Sequence, residues 1–119
     1  MSGYRKGYRL ERRVEGLYSQ HGWLATRFPK SGRGSHPGDV LAVKRFRDGT
    51  LIHIVECKNL SKPEQGRKAL YIQPDQIQGL LEEARRHHAQ ALVAYSFPRQ
   101  HARILEATPS SPFKIYPSP

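Results

Sequence analysis

The sequence contains a single cysteine, Cys57, so no intramolecular disulfide can form and a disulfide-stapled scaffold is excluded. No CxxC, HExxH or CxH cluster offers a zinc site. No apolar run approaches the ~20 residues that a membrane span needs. The segment Met1–Gly7 is polar and basic with no apolar stretch behind it, which does not read as a secretory signal; an intracellular, cytoplasmic location is expected. Asparagine and methionine each occur once, a mild sign of a hot environment that seven glutamines weaken. The largest shortage is of acidic residues. Ten Asp+Glu face 20 Lys+Arg, a formal net charge of +10 on 119 residues. Such an excess on a chain of one-domain length predicts a polyanionic partner, nucleic acid first and an anionic membrane surface second.

What is present reads as alternating elements. Leu10, Val14, Leu17 and Tyr18 fall on one face of a helix over Arg5–Gln20, which His21-Gly22 stops. Trp23–Phe28 reads as a strand. The stretch 29–38 (PKSGRGSHPG) has three Gly, two Pro and no aliphatic side chain, and reads as a mobile loop longer than a turn requires. Val40–Arg45 and Leu51–Lys58 read as strands joined at the hairpin signal Asp48-Gly49. Pro74 opens a second helix with Ile77, Leu80, Leu81 and Ala84 on its buried face, ending near His87-His88. Ala91–Ser96 is a short buried strand, and His101–Ala107 and Phe113–Tyr116 are candidate final strands before a Pro/Ser-rich tail over 108–119. The order α-β-β-β-α-β-(β) predicts an α/β single domain over 1–119, with a mixed central β-sheet and a helix on each face.

The chemistry concentrates around Asp39 and, seventeen residues on, Glu56-Cys57-Lys58. Strand alternation puts Glu56 and Lys58 on one face and Cys57 on the other. Counting back from the hairpin turn places Asp39 at the same level. Two carboxylates and an ammonium at one sheet edge cost free energy unless paired or used. A hard divalent cation, Mg²⁺ above all, would take oxygens from Asp39 and Glu56 and keep its other positions for water and phosphate. A plain Glu56–Lys58 ion pair at a solvated strand end is the alternative. Glu11 lies at the border of the first helix's buried stripe and could reach the sheet edge; an ordinary helix-face carboxylate is the alternative there. Cys57 reads as a small packed residue whose backbone carbonyl is available to a metal. Ser31, between Lys30 and Arg33 in the glycine-rich loop, could bond a phosphate oxygen, or be a turn serine.

Five segments, GYRLE (Gly7–Glu11), RFPKSG (Arg27–Gly32), GDVLAV (Gly38–Val43), HIVECKN (His53–Asn59) and LYIQPDQIQGL (Leu70–Leu80), occur in the order and spacing of the archaeal-type Holliday junction resolvases. The sequence resembles that family, within the PD-(D/E)xK, restriction-endonuclease-like nucleases, from Arg5 to about Ser96. The resemblance implies a restriction-endonuclease-like fold and a homodimer that binds four-way DNA junctions and nicks two opposing strands symmetrically with Mg²⁺, or Mn²⁺ as a substitute. It implies no organic cofactor. By motif it assigns catalytic roles to Glu11, Ser31, Asp39, Glu56, Lys58 and Gln76, with Glu11, Asp39, Glu56 and the Cys57 carbonyl at the metal. One departure is Gly38 where the motif name has proline, with Pro37 one place earlier.

The basic residues fit this expectation. Arg5, Lys6, Arg9, Arg12, Arg13, Arg27, Lys30 and Arg33 face only Glu11 and Glu15 in the first 33 residues, so six of the ten net charges lie there, beginning in a basic arm over 1–8. Lys62, Arg67 and Lys68 follow Lys58. These are expected phosphate contacts, and no base-reading helix is evident. Two cuts require two sites, which again predicts a dimer; Tyr71, Ile72, Leu92 and Tyr95 are candidate interface residues. The competing readings are a nuclease of the same fold with a repair or restriction-type substrate, and a non-catalytic basic DNA-binding module.

Overall fold

A computed structural model of the chain describes residues 2–28, 38–59, 69–97, 100–109 and 113–116, with side chains from residue 9 onward. Apolar residues spaced by four build the first helix, α1 (Ser2–Gln20), whose Leu10, Val14 and Tyr18 are buried. It starts three residues earlier than the periodicity predicts, so the basic arm is helical. Its end is closed by amides of His21, Gly22 and Trp23 that donate to Tyr18 and Ser19 carbonyls at 3.0–3.1 Å, with Gly22 at φ +86°.

Strands β1 (Leu24–Arg27), β2 (Val40–Phe46) and β3 (Gly49–Asn59) form an antiparallel meander. The β2–β3 turn is Arg47-Asp48, one residue before the Asp-Gly signal, because Gly49 already pairs with Phe46. Two elements follow that precede the return to the sheet: β4 (Leu70–Ile72), a strand that the predicted order lacks, and α2 (Pro74–Arg86). At three residues β4 is too short to show a period. β5 (Gln90–Ser96) then lies parallel to β3, and β6 (Arg103–Glu106) closes the sheet in the order β1-β2-β3-β5-β6. The last strand, β7 (Phe113–Ile115), pairs with β4 in a separate two-stranded sheet.

The mixed sheet has a helix on each face, as predicted. On one face α1 packs on Val40, Ala42, Val55 and Ala94. On the other, Ile77, Leu80 and Ala84 of α2 pack on Ile54, Ala91 and Val93, and the β4–β7 pair adds Leu70, Ile72, Phe113 and Ile115. Ile72 is 1% exposed, so it serves the core and is not available for the expected interface; Tyr71 beside it is 47% exposed. Among the described residues no helix is long and apolar enough to cross a membrane.

Candidate active site

The β2–β3 hairpin brings Asp39 and Glu56 together. Its last ladder pair is Val40 with Val55, and just beyond it the Asp39 carboxylate reaches the amide of Cys57, the residue next to Glu56. Asp39 is 5% exposed and anchored by backbone and side-chain hydrogen bonds. Its amide donates to the Val55 carbonyl (2.7 Å), its carbonyl accepts from the Phe28 amide (2.9 Å), and its carboxylate Oδ2 accepts from the Cys57 amide (2.7 Å). The last bond answers a buried charge with a backbone dipole and fixes the carboxylate at the strand end. Cys57 therefore contributes an N–H as well as the carbonyl expected from sequence.

Lys58 lies two residues beyond Glu56 on the same face, with its Nζ 3.7 Å from Glu56 Oε2; the side chains are 26% and 19% exposed. The pair is accessible enough to meet a ligand. Cys57, on the other face, packs with the α1 cluster.

Gly38 explains how the chain enters this site. Its φ is +92°, and a Cβ there would sit 2.7 Å from Ile54 Cγ2 and 3.4 Å from Leu80 Cδ1. Proline, fixed near φ −65°, cannot take this conformation. The departure from the motif name is thus required by the local backbone.

Other expected site residues are placed differently. Glu11 is 8% exposed on α1, the helix that packs on the face of the sheet opposite α2. Gln76 is exposed in the first turn of α2. That helix ends four residues before β5 begins, so its first turn lies at the opposite end, towards the outlet of β3 where Glu56 and Lys58 sit. Arg9, Arg12 and Arg13 are exposed along α1, and Arg27 is half-buried at the end of β1 level with Val40. Ser31, Lys30, Arg33, Lys62, Arg67 and Lys68 lie outside the described residues, as do the side chains of Arg5 and Lys6.

Among the described residues no three His, Cys, Asp or Glu side chains form a metal-holding group. The donors at Asp39, Glu56 and the Cys57 carbonyl are all hard oxygens. That set fits Mg²⁺, which is held by one or two carboxylates and completes its shell with water and phosphate.

The far end of α1 is packed differently. The Tyr18 hydroxyl lies 2.9 Å from His53 Nδ1, and Trp23 stacks 4.4 Å from the His53 ring. Burial lowers the His53 pKa, partly offset by a hydrogen bond to the Gln90 side chain, and burial raises Tyr18 to about 12, with Cys57 adding to the rise. The Tyr18–His53 contact ties the end of α1 to β3. A cavity of about 420 Å³ beside it is lined by Leu17, Tyr18, His21, Trp23, Ala102 and Ile104, and includes none of the site carboxylates.

Comparison with known proteins follows the same lines. The family model for the archaeal Holliday junction resolvase (Hjc) matches residues 2–111. Among solved structures, Hjc from Archaeoglobus fulgidus, a Holliday junction resolvase from an archaeal hyperthermophile, is 27% identical, with a TM-score of 0.71 over 92% of this chain and 88% of that one. No curated protein matches.

Proposed function

The chain belongs to the archaeal Holliday junction resolvase family, and from that premise we propose that it is a metal-dependent endodeoxyribonuclease that resolves four-way DNA junctions by paired symmetric nicks as a homodimer. The observation that carries the reading is the Asp39 carboxylate, anchored on the Cys57 amide next to Glu56, with Lys58 paired to Glu56. A module that only bound DNA would gain nothing from buried acid beside phosphate.

Asp39, Glu56 and the Cys57 carbonyl would hold Mg²⁺ or Mn²⁺, with Glu11 assigned as a further ligand. Bound there, the cation would supply Lewis-acid activation of water and neutralise phosphate charge. The chain's own groups do the rest. The Cys57 amide keeps Asp39 from swinging away, so the carboxylate is oriented before substrate arrives. Glu56 restrains the Lys58 ammonium at 3.7 Å. From that position Lys58 can stabilise the charge that builds on the phosphoryl oxygens during in-line attack. Ser31 in the glycine-rich loop and Gln76 at the head of α2 are assigned as further contacts to the scissile strand. Arg9, Arg12, Arg13 and Arg27, with Arg5, Lys6, Lys30, Arg33, Lys62, Arg67 and Lys68, are assigned to the phosphate backbone.

The test is cleavage of a synthetic four-way junction with Mg²⁺, which should yield nicked duplexes. Asp39→Asn and Glu56→Gln should each lower cutting by at least 10³-fold, an order-of-magnitude expectation for charge lost at a metal site, while junction binding stays intact or tightens. Asn can still accept from the Cys57 amide, so the first variant separates charge from folding. Inert behaviour on junctions with efficient cutting of linear duplex would favour a same-fold repair or restriction-type nuclease instead.

A further inference from the structure

The β2–β3 hairpin extends past its neighbours at the end away from the carboxylates. β1 pairs with β2 only as far as Val43, and β5 pairs with β3 only from His53 onward. Residues 44–51 are therefore a two-stranded ribbon with no flanking strand, held by the pairs Lys44–Leu51, Arg45–Thr50 and Phe46–Gly49. A free hairpin of this kind exposes both faces. Here it carries three basic residues in the run Lys44-Arg45-Phe46-Arg47 against one acid, Asp48.

Among the described residues nothing neutralises Arg45 or Arg47. Arg45 and Arg47 are exposed and make no ion pair or hydrogen bond with the described residues. Lys44 instead braces the root of the ribbon. Its Nζ donates to the His21 carbonyl at the end of α1 (2.8 Å) and lies 5.3 Å from the centre of the Phe46 ring. Phe46 and Leu51 are 46% and 45% exposed, on the face that Val40, Ala42 and Val55 bury further along against α1. Two large apolar side chains left in water beside uncompensated guanidinium groups mark a contact surface.

We propose that this ribbon enters a groove of a DNA arm, with Arg45 and Arg47 on the phosphates at its walls and Phe46 and Leu51 against sugar and base edges. The inference rests on the junction-nuclease reading for its substrate. A two-stranded ribbon matches a major groove about 12 Å wide. Seven residues of β2 span roughly 20 Å from Asp39 to the ribbon, which is about six base pairs at about 3.4 Å each. The ribbon would then hold the same arm about half a turn or a little more from the cut, a footing that orients the arm without touching the site.

The experiment measures affinity for a four-way junction and for a linear duplex in EDTA against salt, with hydroxyl-radical footprinting. It compares the wild type, R45Q/R47Q, the charge-conserving R45K/R47K, and R85Q/R86Q, which removes equal charge from the end of α2, outside the ribbon. Two lost phosphate contacts should flatten the log–log salt slope of R45Q/R47Q by about 1.8, so that raising salt from 50 to 200 mM costs it about tenfold less affinity than it costs the wild type. Protection about six base pairs from the cut should disappear, R45K/R47K should restore the slope, and thermal midpoints should match the wild type. A wild-type slope in R45Q/R47Q, or an equal flattening in R85Q/R86Q, overturns the proposal, as does a footprint unchanged at that distance. Wild-type protein that binds junction and duplex equally would overturn the junction reading alone, since the ribbon comparison is then read on the duplex; no binding to either overturns both.

Discussion

Gly38 shows how a single residue sets the geometry of the site. Its φ of +92° and the 2.7 Å approach of Ile54 Cγ2 leave room for neither a Cβ nor a pyrrolidine ring. Gly38→Ala should cost about 1–3 kcal/mol in urea unfolding through strain at a left-handed position and displacement of the buried Ile54. Because Asp39 is the next residue, cleavage should fall further than the lost stability accounts for. An alanine variant with wild-type stability and full cutting would mean that the glycine is incidental. The motif comparison singled out this position as a departure, and only φ gives the departure a cause.

At the scale of elements, the two short strands that sequence periodicity treats least well form a clasp. β4 is three residues long and β7 emerges from a Pro/Ser-rich tail, yet Leu70, Ile72, Phe113 and Ile115 are all at most 6% exposed. Neither strand has a pattern long enough to read alone; each is specified by the other, more than forty residues away. The clasp sits immediately before α2, so it also steadies the turn that presents Gln76. Phe113→Ala should lower stability by about 3 kcal/mol, measured as a shift in urea midpoint at constant slope. A change within about 0.5 kcal/mol would show that the tail is not part of the cooperative unit.

For the whole molecule, one chain of 13.6 kDa carries one Asp39–Glu56–Lys58 site, whereas paired nicks need two. Sedimentation equilibrium at the concentrations that support junction cutting should report a species of twice the chain mass. A monomer at all active concentrations would contradict paired cleavage by a single complex. Tyr71 remains exposed for such an interface, while Ile72 is committed to the core and Leu92 and Tyr95 are only partly open. Among the basic residues behind the net charge of +10, Arg9, Arg12 and Arg13 are exposed along α1 and Arg45 and Arg47 are exposed on the ribbon.

The amino-acid pattern alone determined both helices, the central meander, the crossover strand and the alternation that sends Glu56 and Lys58 one way and Cys57 the other. These are local properties, written in periods of 3.6 and 2 and in turn residues. Leu10, Val14 and Tyr18 announce their helix, and an ExK on a strand announces its two faces, without any knowledge of the rest of the chain. Tertiary structure decided what depends on residues far apart: the one-residue shift of the hairpin turn, the Cys57 amide that anchors Asp39, the β4–β7 clasp and the ribbon at the far end of the hairpin. Each of these is a matter of register or of which strands stop where. A sequence carries that information only jointly, through the pairing free energies of segments that meet after the chain has folded.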